Sequence, residues 1–417
     1  MQHRYPCGGV NRRGFLSASA CAAAAASVPL VSGRAARAAQ EIGSVTKTTH
    51  FGGGSRPLGK LAAPGLYPGR VVEAKNPRMI QGGKRDAEAI KATMDAGIKN
   101  LTGATDAVEG WKHFFEPGDA VGIKVVPNGQ PFAHSSYEIV LEVIDKLKAC
   151  GVKGRDIFVY DRYRGEFMDA GYHKILPGDV HWGGLDPEGN QTKLDFPSHA
   201  KDPIAGFDHD AFVWMDLVNY GGDPKDDRLY RSHLGKLVTR TLNKIVAIPV
   251  LKDHGSAGVT GALKNMSHGT VNNVNRSHST SFTNVCNQFI PQMVSHPIIR
   301  DRFVLQIMDG IRAVYQGGPF AWEGGKYTWE YNSIFFATDP VALDHVEWTI
   351  VDAKRKSENL PPVAAAGKAA LDPLHKEGFD VRQPQHIALA GAMGLGLFDF
   401  KSNKGRRHSI DHRVHQV

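Results

Sequence analysis

The chain has 417 residues, with 50 Lys or Arg against 42 Asp or Glu, which gives a formal net charge of +8 at pH 7. Hydrophobic residues make up 41% of the chain and charged residues 22%. This composition excludes a disordered chain, a collagen-like chain and a disulfide-stapled miniprotein, and the length allows one large or two to three ordinary domains. The positive charge at first suggests a nucleic-acid or anionic-membrane partner, so the position of the basic residues has to be considered.

The first 38 residues have the pattern of an export signal. They contain five arginines and no acidic residue, and the pair Arg12-Arg13 precedes an apolar, alanine-rich run over residues 15–31. A small-x-small sequence follows at residues 36–38, as at a cleavage site. These features predict a twin-arginine signal peptide over residues 1–38, recognised by the twin-arginine export machinery, and a bacterial periplasmic location. A Sec signal and a membrane anchor are the alternatives, but 17 residues are short for a membrane span.

Removal of this segment would lower the net charge from +8 to +3, because all five arginines leave with it. Most of the excess positive charge that suggested a nucleic-acid partner therefore belongs to the predicted signal peptide. We expect neither a nucleic-acid partner nor a stable membrane anchor after cleavage. Cys7 and Cys21 would also be lost, leaving Cys150 and Cys286. Two cysteines are too few for a four-cysteine iron–sulfur cluster, so none is expected, while a disulfide between them is left open.

The remaining chain divides by composition into a linker, a domain and a tail. Residues 39–70 are rich in Gly, Pro, Thr and Ser and are predicted to be a linker. A single α/β domain is predicted over residues 71–398. It includes a polar, aromatic insertion at 163–235 with irregular and short β elements. Residues 399–417 are predicted to form a mobile basic tail.

Hydrophobic periodicity predicts an α/β domain with a mostly parallel sheet and helices on both faces. Residues 84–101 have helical spacing, and residues 119–162 read as strand, helix, strand, which is a βαβ crossover. Asp339-Pro340 is typical of the start of a helix, predicted here to run to about residue 356. The other predicted strands are residues 244–251, 303–308, 333–337 and 386–390.

Polar side chains follow five of the predicted strands. Ligands of open α/β sheets bind beyond the carboxyl ends of the strands, so these side chains mark a candidate site. For Asp339, capping of the following helix is the competing interpretation. In chain order the side chains are Asn128, Asp161, Lys252 with His254, Asp309, and Asp339.

The segment 252–269 concentrates ionisable groups among glycines. Lys252 and Lys264 could bind a carboxylate or phosphate. Alternatively, His254 and His268 could hold a divalent metal with a carboxylate such as Asp161 or Asp309, or the segment could be a polar loop without function. A P-loop, an H-E-x-x-H zinc motif and a G-x-S-x-G elbow are absent, and the glycines of 391–396 do not have dinucleotide-binding spacing.

Together these motifs resemble the domain of unknown function 362 family over about residues 119–350. The resemblance implies an α/β domain and a ligand site built from the strand ends, but no particular reaction. Some members of the family carry a ferredoxin-like cluster domain, and this chain lacks those cysteines, which argues against direct electron transfer. The segments that carry the resemblance are residues 122–124, 127–128, 161, 252–255, 260–265, 309–310 and 338–344.

The sequence therefore favours an exported enzyme that acts on a small anionic or polar substrate, with a possible role for a metal. The alternatives are a non-catalytic periplasmic ligand-binding or accessory protein, and an assembly protein that uses the aromatic insertion. The predicted catalytic residues are Lys252, His254, Lys264 and Asp161. The predicted substrate-binding residues are Lys124, Asn128, Asn265, Asp309 and Asp339, and the candidate metal ligands are His254 and His268.

Overall fold

The computed structural model describes residues 50–53, 57–218, 222–278, 284–321, 323–364, 382–400 and 409–417. The predicted signal peptide lies outside these ranges, as do residues 39–49 and 54–56 of the predicted linker. Within them, the strands are β1 (His50–Phe51), β2 (Arg70–Lys75), β3 (Ile80–Gln81), β4 (Lys84–Arg85), β5 (Val121–Lys124), β6 (Ile157–Tyr163), β7 (His181–Asp186), β8 (Phe207–Trp214), β9 (Arg231–Gly235), β10 (Lys244–Ala247), β11 (Val250–His254), β12 (Gly258–Val259), β13 (Phe303–Val314), β14 (Thr328–Ala337) and β15 (Asp411–Gln416).

The α-helices of the described residues lie mostly between these strands. Asp86 begins the first of them by accepting a hydrogen bond from the backbone N–H of Ala89, and Gly103 ends it in the left-handed conformation. The helices are α1 (Ala87–Thr102), α2 (Ala107–Trp111), α3 (Tyr137–Ala149), α4 (Arg164–Asp169), α5 (Gly261–Ser267), α6 (Cys286–Val294), α7 (Pro297–Arg302), α8 (Pro340–Ser357) and α9 (Gln385–Ala392).

The main sheet has the strand order β15-β2-β14-β13-β10-β5-β6-β7, with β11 beside β13 and β12 beside β11. Its strands are parallel from β13 through β10, β5 and β6 to β7, whereas β14 is antiparallel to both of its neighbours. Helices α1 and α3 bury one apolar cluster against one face, and α5, α6 and α8 bury a second cluster on the other. The predicted fold class is therefore confirmed: a mostly parallel sheet covered on both faces.

The unit β5–α3–β6 matches the predicted βαβ crossover. Ile139, Val140, Val143, Ile144 and Leu147 of α3 are all fully buried, as their spacing predicts for one face of a helix. Because β5 and β6 are adjacent and parallel, their carboxyl ends deliver Lys124 and Asp161 to the same edge of the sheet.

Part of the predicted insertion belongs to the main sheet. Residues His181–Asp186 form β7, the edge strand beside β6. The rest of the insertion includes β8 and β9, which form a small antiparallel sheet with β1. This polar and aromatic region therefore contributes one strand to the main sheet of the domain.

Three further predictions about elements are wrong. Residues 386–390 lie in helix α9, because a short apolar run has no periodicity that separates a strand from a buried helix. The strand predicted over 244–251 is broken between β10 and β11, where Pro249 has no N–H to donate to a neighbouring strand. The predicted mobile tail contains β15, which pairs with β2 and bonds His412 Nε2 to the buried Glu73 carboxylate at 2.9 Å.

Two other findings concern the cysteines and the membrane. Cys150 and Cys286 are both buried and not bonded to each other, so the disulfide left open by the sequence is not formed in this structure. In the described ranges, no helix has both the length and the apolar character needed to cross a membrane.

Candidate functional site

A cavity of about 490 Å³ lies at the carboxyl ends of β5, β6 and β11, where the sequence predicts a ligand site. Its wall is built by the end of β5, the end of β6 with the start of α4, the loop and helix after β11, the residues that follow α5, and a loop that follows β13. The lining residues are Lys124, Val126, Pro127, Asn128, Asp161, Arg162, Tyr163, Glu166, His254, Gly255, Ser256, Thr260, Lys264, Asn265, His268, Gly269, Asn275, His278, Gly318, Pro319 and Phe320.

Lys124 is a fully partnered lysine in this wall. Its Nζ lies 2.6 Å from Asp161 Oδ1 and donates to Asn265 Oδ1 at 2.8 Å and to its neighbour's carbonyl, Val125 O, at 2.9 Å. Lys124 and Asp161 are both almost completely buried. Gly269 lets the lysine pass, because a Cβ on this glycine would lie 2.3 Å from Lys124 Cε. The ion pair is therefore a preformed part of the wall.

Lys252 is also fully partnered, but it does not line the cavity. Its Nζ donates to Asn128 O at 2.9 Å, Asn128 Oδ1 at 2.7 Å and Pro319 O at 2.9 Å, which uses all three ammonium hydrogens. Burial lowers its pKa to about 7, and the three oxygen acceptors favour the charged form. In this structure Lys252 connects two loops of the wall through these bonds, and its predicted catalytic role stays a prediction.

Lys264 has the opposite environment. It lines the cavity from helix α5 and is only 8% exposed, yet no described residue forms a hydrogen bond or an ion pair with its ammonium group. Burial lowers its pKa to about 8, and the positive charges of Arg162 and Lys124 act in the same direction. The side chain is buried, and its Nζ, which is not among the fully enclosed polar atoms, faces the cavity without a partner among the described residues, so this group is suited to a ligand or to losing its proton.

Two charged residues that the sequence analysis did not select also line the cavity. Arg162 donates from Nη1 to His268 O at 2.8 Å, and its buried Nε has no partner. The Glu166 carboxylate forms no hydrogen bond or ion pair with the described residues. Burial raises the pKa of Glu166 above its usual range, and repulsion from Asp161 adds to this shift. The cavity thus holds two incompletely partnered cations and a carboxyl group that binds its proton more tightly than usual.

The histidines of the cavity form a stacked group. The rings of His254 and His278 are 5.8 Å apart and nearly parallel, and the ring of His268 meets His278 edge-on at 5.1 Å. Burial lowers the pKa of all three well below the usual range, and Lys264 adds to each shift. They are therefore neutral imidazoles at neutral pH.

The hydrogen bonds of these rings disfavour the predicted metal site. His254 Nδ1 accepts from the backbone N–H groups of Ser256 and Ala257 at 3.0 and 3.1 Å, so Nε2 carries the hydrogen of the neutral ring and has no lone pair for a metal. Both nitrogens of His268 face serine hydroxyls, Ser267 at 3.1 Å and Ser277 at 2.9 Å. Among the described residues, no three His, Cys, Asp or Glu side chains are grouped so as to hold a metal ion.

The predicted substrate-binding residues separate into two groups. Asn128 and Asn265 line the cavity with Lys124, but their side-chain oxygens accept from Lys252 and Lys124, respectively. Asp309 is 1% exposed, and its Oδ2 accepts from the backbone and the hydroxyl of Ser136. Asp309 therefore holds the start of α3 and does not line the cavity, while its predicted contact with substrate stays a prediction.

Asp339 is likewise a structural residue. It is fully buried, and its carboxylate accepts from the N–H groups of Val341 and Ala342, which confirms the helix cap. It also accepts from the N–H groups of Gly69 and Leu397. Asp339 thus has four backbone donors and does not line the cavity, while its predicted contact with substrate stays a prediction.

Sequence reasoning missed Arg162, Glu166 and His278. The signal for the first was available, because Arg162 directly follows Asp161 at the end of β6. Glu166 lies on helix α4, five residues beyond Asp161, and His278 follows α5 by eleven residues of polar chain. Only the folded chain brings the latter two residues to the strand ends.

A family model described as Domain of unknown function (DUF362) matches residues 121–349, more than half of the chain, so the chain belongs to this family. No curated protein is similar enough in sequence to match it. Among solved structures, it is similar to the lactate racemase apoprotein from Thermoanaerobacterium thermosaccharolyticum, with a TM-score of 0.34 and 10% sequence identity. That similarity covers 68% of this chain and 57% of the racemase chain, so the chain matches little more than half of the racemase.

Proposed function

We propose that this member of the family is an exported enzyme that binds a small organic anion in the cavity and moves a proton on it. The observation that carries the proposal is the unpartnered ammonium of the mostly buried Lys264 side chain in a cavity that also contains Glu166. An anion beside Lys264 would provide the missing partner. Burial raises the pKa of Glu166, so this carboxyl group keeps its proton at a higher pH than an ordinary glutamate and is suited to give and take a proton.

Each remaining group of the wall has a role that follows from its contacts. Arg162 makes one hydrogen bond to the described part of the protein, so its other N–H groups remain as donors for the anion. His254 presents a neutral ring whose Nε2 hydrogen can polarise a substrate oxygen. The Lys124–Asp161 pair and Lys252 keep the wall in place. This arrangement requires little rearrangement before the anion binds.

The first test is a panel of probes in thermal unfolding: succinate, lactate, 2-oxoglutarate and inorganic phosphate, with glycerol as the uncharged control. We expect at least one anion, and not glycerol, to raise the melting temperature of the wild-type protein. Lys264→Met and Arg162→Met should remove that rise. A rise that is unchanged in both variants would place the anion elsewhere and contradict the site.

The affinity for the anion should fall as the pH rises. Lys264 is charged below a pKa of about 8 and neutral above it, so its attraction for an anion is lost as the pH passes through 8. Glu166 becomes negative as the pH rises through its raised pKa and then repels the anion. Calorimetric titration of the anion selected in the panel at pH 6, 7, 8 and 9 would measure this decline.

Glu166→Gln serves as the matched variant for this titration, since it keeps the size of the side chain and removes its charge. It should bind the anion several-fold more tightly at pH 8, and its affinity should depend less on pH. An affinity that rises with pH in the wild-type protein would show that Lys264 does not face the bound charge.

Export by the twin-arginine route remains part of the proposal, supported by the pattern of residues 1–38. The double substitution Arg12→Lys, Arg13→Lys is expected to retain the precursor in the cytoplasm, because that machinery recognises the paired arginines. Fractionation of a twin-arginine-competent bacterial host, with N-terminal sequencing of the exported protein, checks this. Normal export of the variant would indicate the Sec signal instead.

A further inference from the structure

The cavity region contains three lysines, and one of them differs from the other two in its hydrogen bonding. Lys124 and Lys252 each place the ammonium group against three oxygen acceptors. Lys264 has no such acceptor among the described residues, although it is also almost completely buried. The fold therefore provides hydrogen-bond acceptors for the ammonium groups of two lysines and leaves the third without them.

A lysine with these surroundings is a nucleophile as well as a cation. Only the neutral amine has a lone pair, and desolvation together with a neighbouring cation is the usual way to obtain it near neutral pH. Arg162 and Lys124 are the neighbouring cations, and both lower the pKa of Lys264 further than burial alone. Lys264 also lines the cavity, so its amine is accessible to a small molecule.

We infer that Lys264 forms an imine with the carbonyl group of an anionic substrate, and that the substrate class is 2-oxo acids. The inference rests on the proposed function and extends it, since the anionic group is the one that the cavity binds. A 2-oxo acid has its carboxylate next to its carbonyl carbon. Arg162 and Lys264 line the same cavity, and in this assignment the guanidinium binds the carboxylate while the Lys264 amine attacks the carbonyl carbon.

The step balances with the groups that the cavity provides. The Lys264 lone pair attacks the carbonyl carbon, the C=O π electrons move to oxygen, and that oxygen takes a proton from the Glu166 carboxylic acid. The nitrogen then returns a proton to the Glu166 carboxylate, which gives a neutral carbinolamine. Glu166 next protonates the hydroxyl group, water leaves as the nitrogen lone pair forms the C=N bond, and the iminium nitrogen returns its remaining proton to the Glu166 carboxylate. The net change is one amine and one carbonyl converted to one imine and one water.

Glu166 is suited to carry these protons. Its raised pKa keeps a fraction of the carboxyl group protonated closer to neutral pH than usual. It is also near enough to Lys264 for the two charges to influence each other's protonation, because its negative charge opposes the lowering of the lysine pKa. The other carboxyl group of the described lining belongs to Asp161, and it is paired with Lys124, so it is not available for this role.

The test is reductive trapping of the full-length mature protein. Glyoxylate, pyruvate and 2-oxoglutarate are each incubated with the protein and sodium borohydride, and the intact mass is measured. We expect with at least one probe a single adduct equal to the probe mass less one oxygen atom, and peptide mapping that places it on Lys264. Lys264→Met should lose the adduct, and Glu166→Gln should slow its formation at least about tenfold while the anion still binds.

The outcomes separate this inference from the proposed function. An adduct on Lys124, on Lys252 or only on exposed lysines would overturn the inference, and so would no adduct with any of the three probes. If the anions still raise the melting temperature in a Lys264-dependent way, the proposed anion site stands and Lys264 acts only as a charge. If the melting temperature is also unchanged, both fail. Lys264→Arg distinguishes the roles further, because it should retain anion binding and lose trapping.

Discussion

Lys264→Met is expected to stabilise the unliganded protein, by up to about 3 kcal/mol at pH 7. Burial lowers the pKa of this lysine from 10.5 to about 8, which means that the folded state disfavours the ammonium form. Methionine has a similar length and no charge, so it removes this penalty without leaving a large cavity. The free energy of unfolding, measured by urea titration at pH 7, should therefore increase.

The pH dependence of this gain has a definite sign. Below pH 8 the lysine is charged in both the folded and the unfolded chain, and the full penalty is present. Between pH 8 and 10.5 the unfolded chain holds a proton that the folded chain has lost, so wild-type stability rises with pH. The advantage of Lys264→Met should shrink over that range. A variant that is less stable than wild type at pH 7 would mean that the ammonium has a stabilising partner.

Lys124→Met is expected to have the opposite effect, a loss of about 3–5 kcal/mol, because it removes one member of a buried ion pair. Lys124 and Asp161 are almost completely buried and 2.6 Å apart, and without the lysine the Asp161 charge would remain buried without a cation bonded to it. The Asn265 oxygen and the Val125 carbonyl would also lose a donor. Replacing a lysine of the cavity wall by methionine should therefore lower the free energy of unfolding at residue 124 and raise it at residue 264.

A double variant supplies the control for this effect. Asp161→Asn in the Lys124→Met background removes the uncompensated charge and should recover most of the lost stability. Urea titrations of the two single variants and the double variant give the interaction energy between the two side chains. A loss below about 1 kcal/mol for Lys124→Met alone would show that solvent or another group already neutralises Asp161.

The sequence predicted the elements of this fold well where a strong local pattern specifies them. The crossover β5–α3–β6 has an uninterrupted apolar strand, a helix with one apolar face and glycine just past its end, so its elements followed from the pattern. The helix start at Asp339 followed from the cap and the proline. The patterns failed where they were short or polar, as in helix α9 and strand β15, because tertiary neighbours rather than periodicity decide those segments.

For the site, the sequence determined which edge of the sheet carries it. Parallel strands that end in Lys124, Asp161 and His254 must bring those residues to one side, and the structure places all three in one cavity wall. It could not determine which of the lysines has partners. Asn265, which holds Lys124, is 141 residues away from it, and Asn128 is 124 residues from Lys252.

Those separations also explain why three of the predicted site residues do not line the cavity. Lys252, Asp309 and Asp339 follow strands just as Asp161 does, but each has its hydrogen-bonding capacity taken up by backbone or side-chain groups from elsewhere in the chain. A strand end shows only where a side chain starts, whereas its partners depend on what the remaining chain packs beside it.

The net charge of +8 can be divided in the same way, into a part that the sequence explains and a part that needs the structure. Composition and position alone attribute most of the +8 to residues 1–38 and reduce the remainder to +3. Only the tertiary structure decides which remaining positive charges are available for chemistry. Lys124 and Lys252 are saturated by oxygen acceptors brought in from distant segments, while Lys264 is buried in the cavity wall without one, because no such segment reaches it in the described structure.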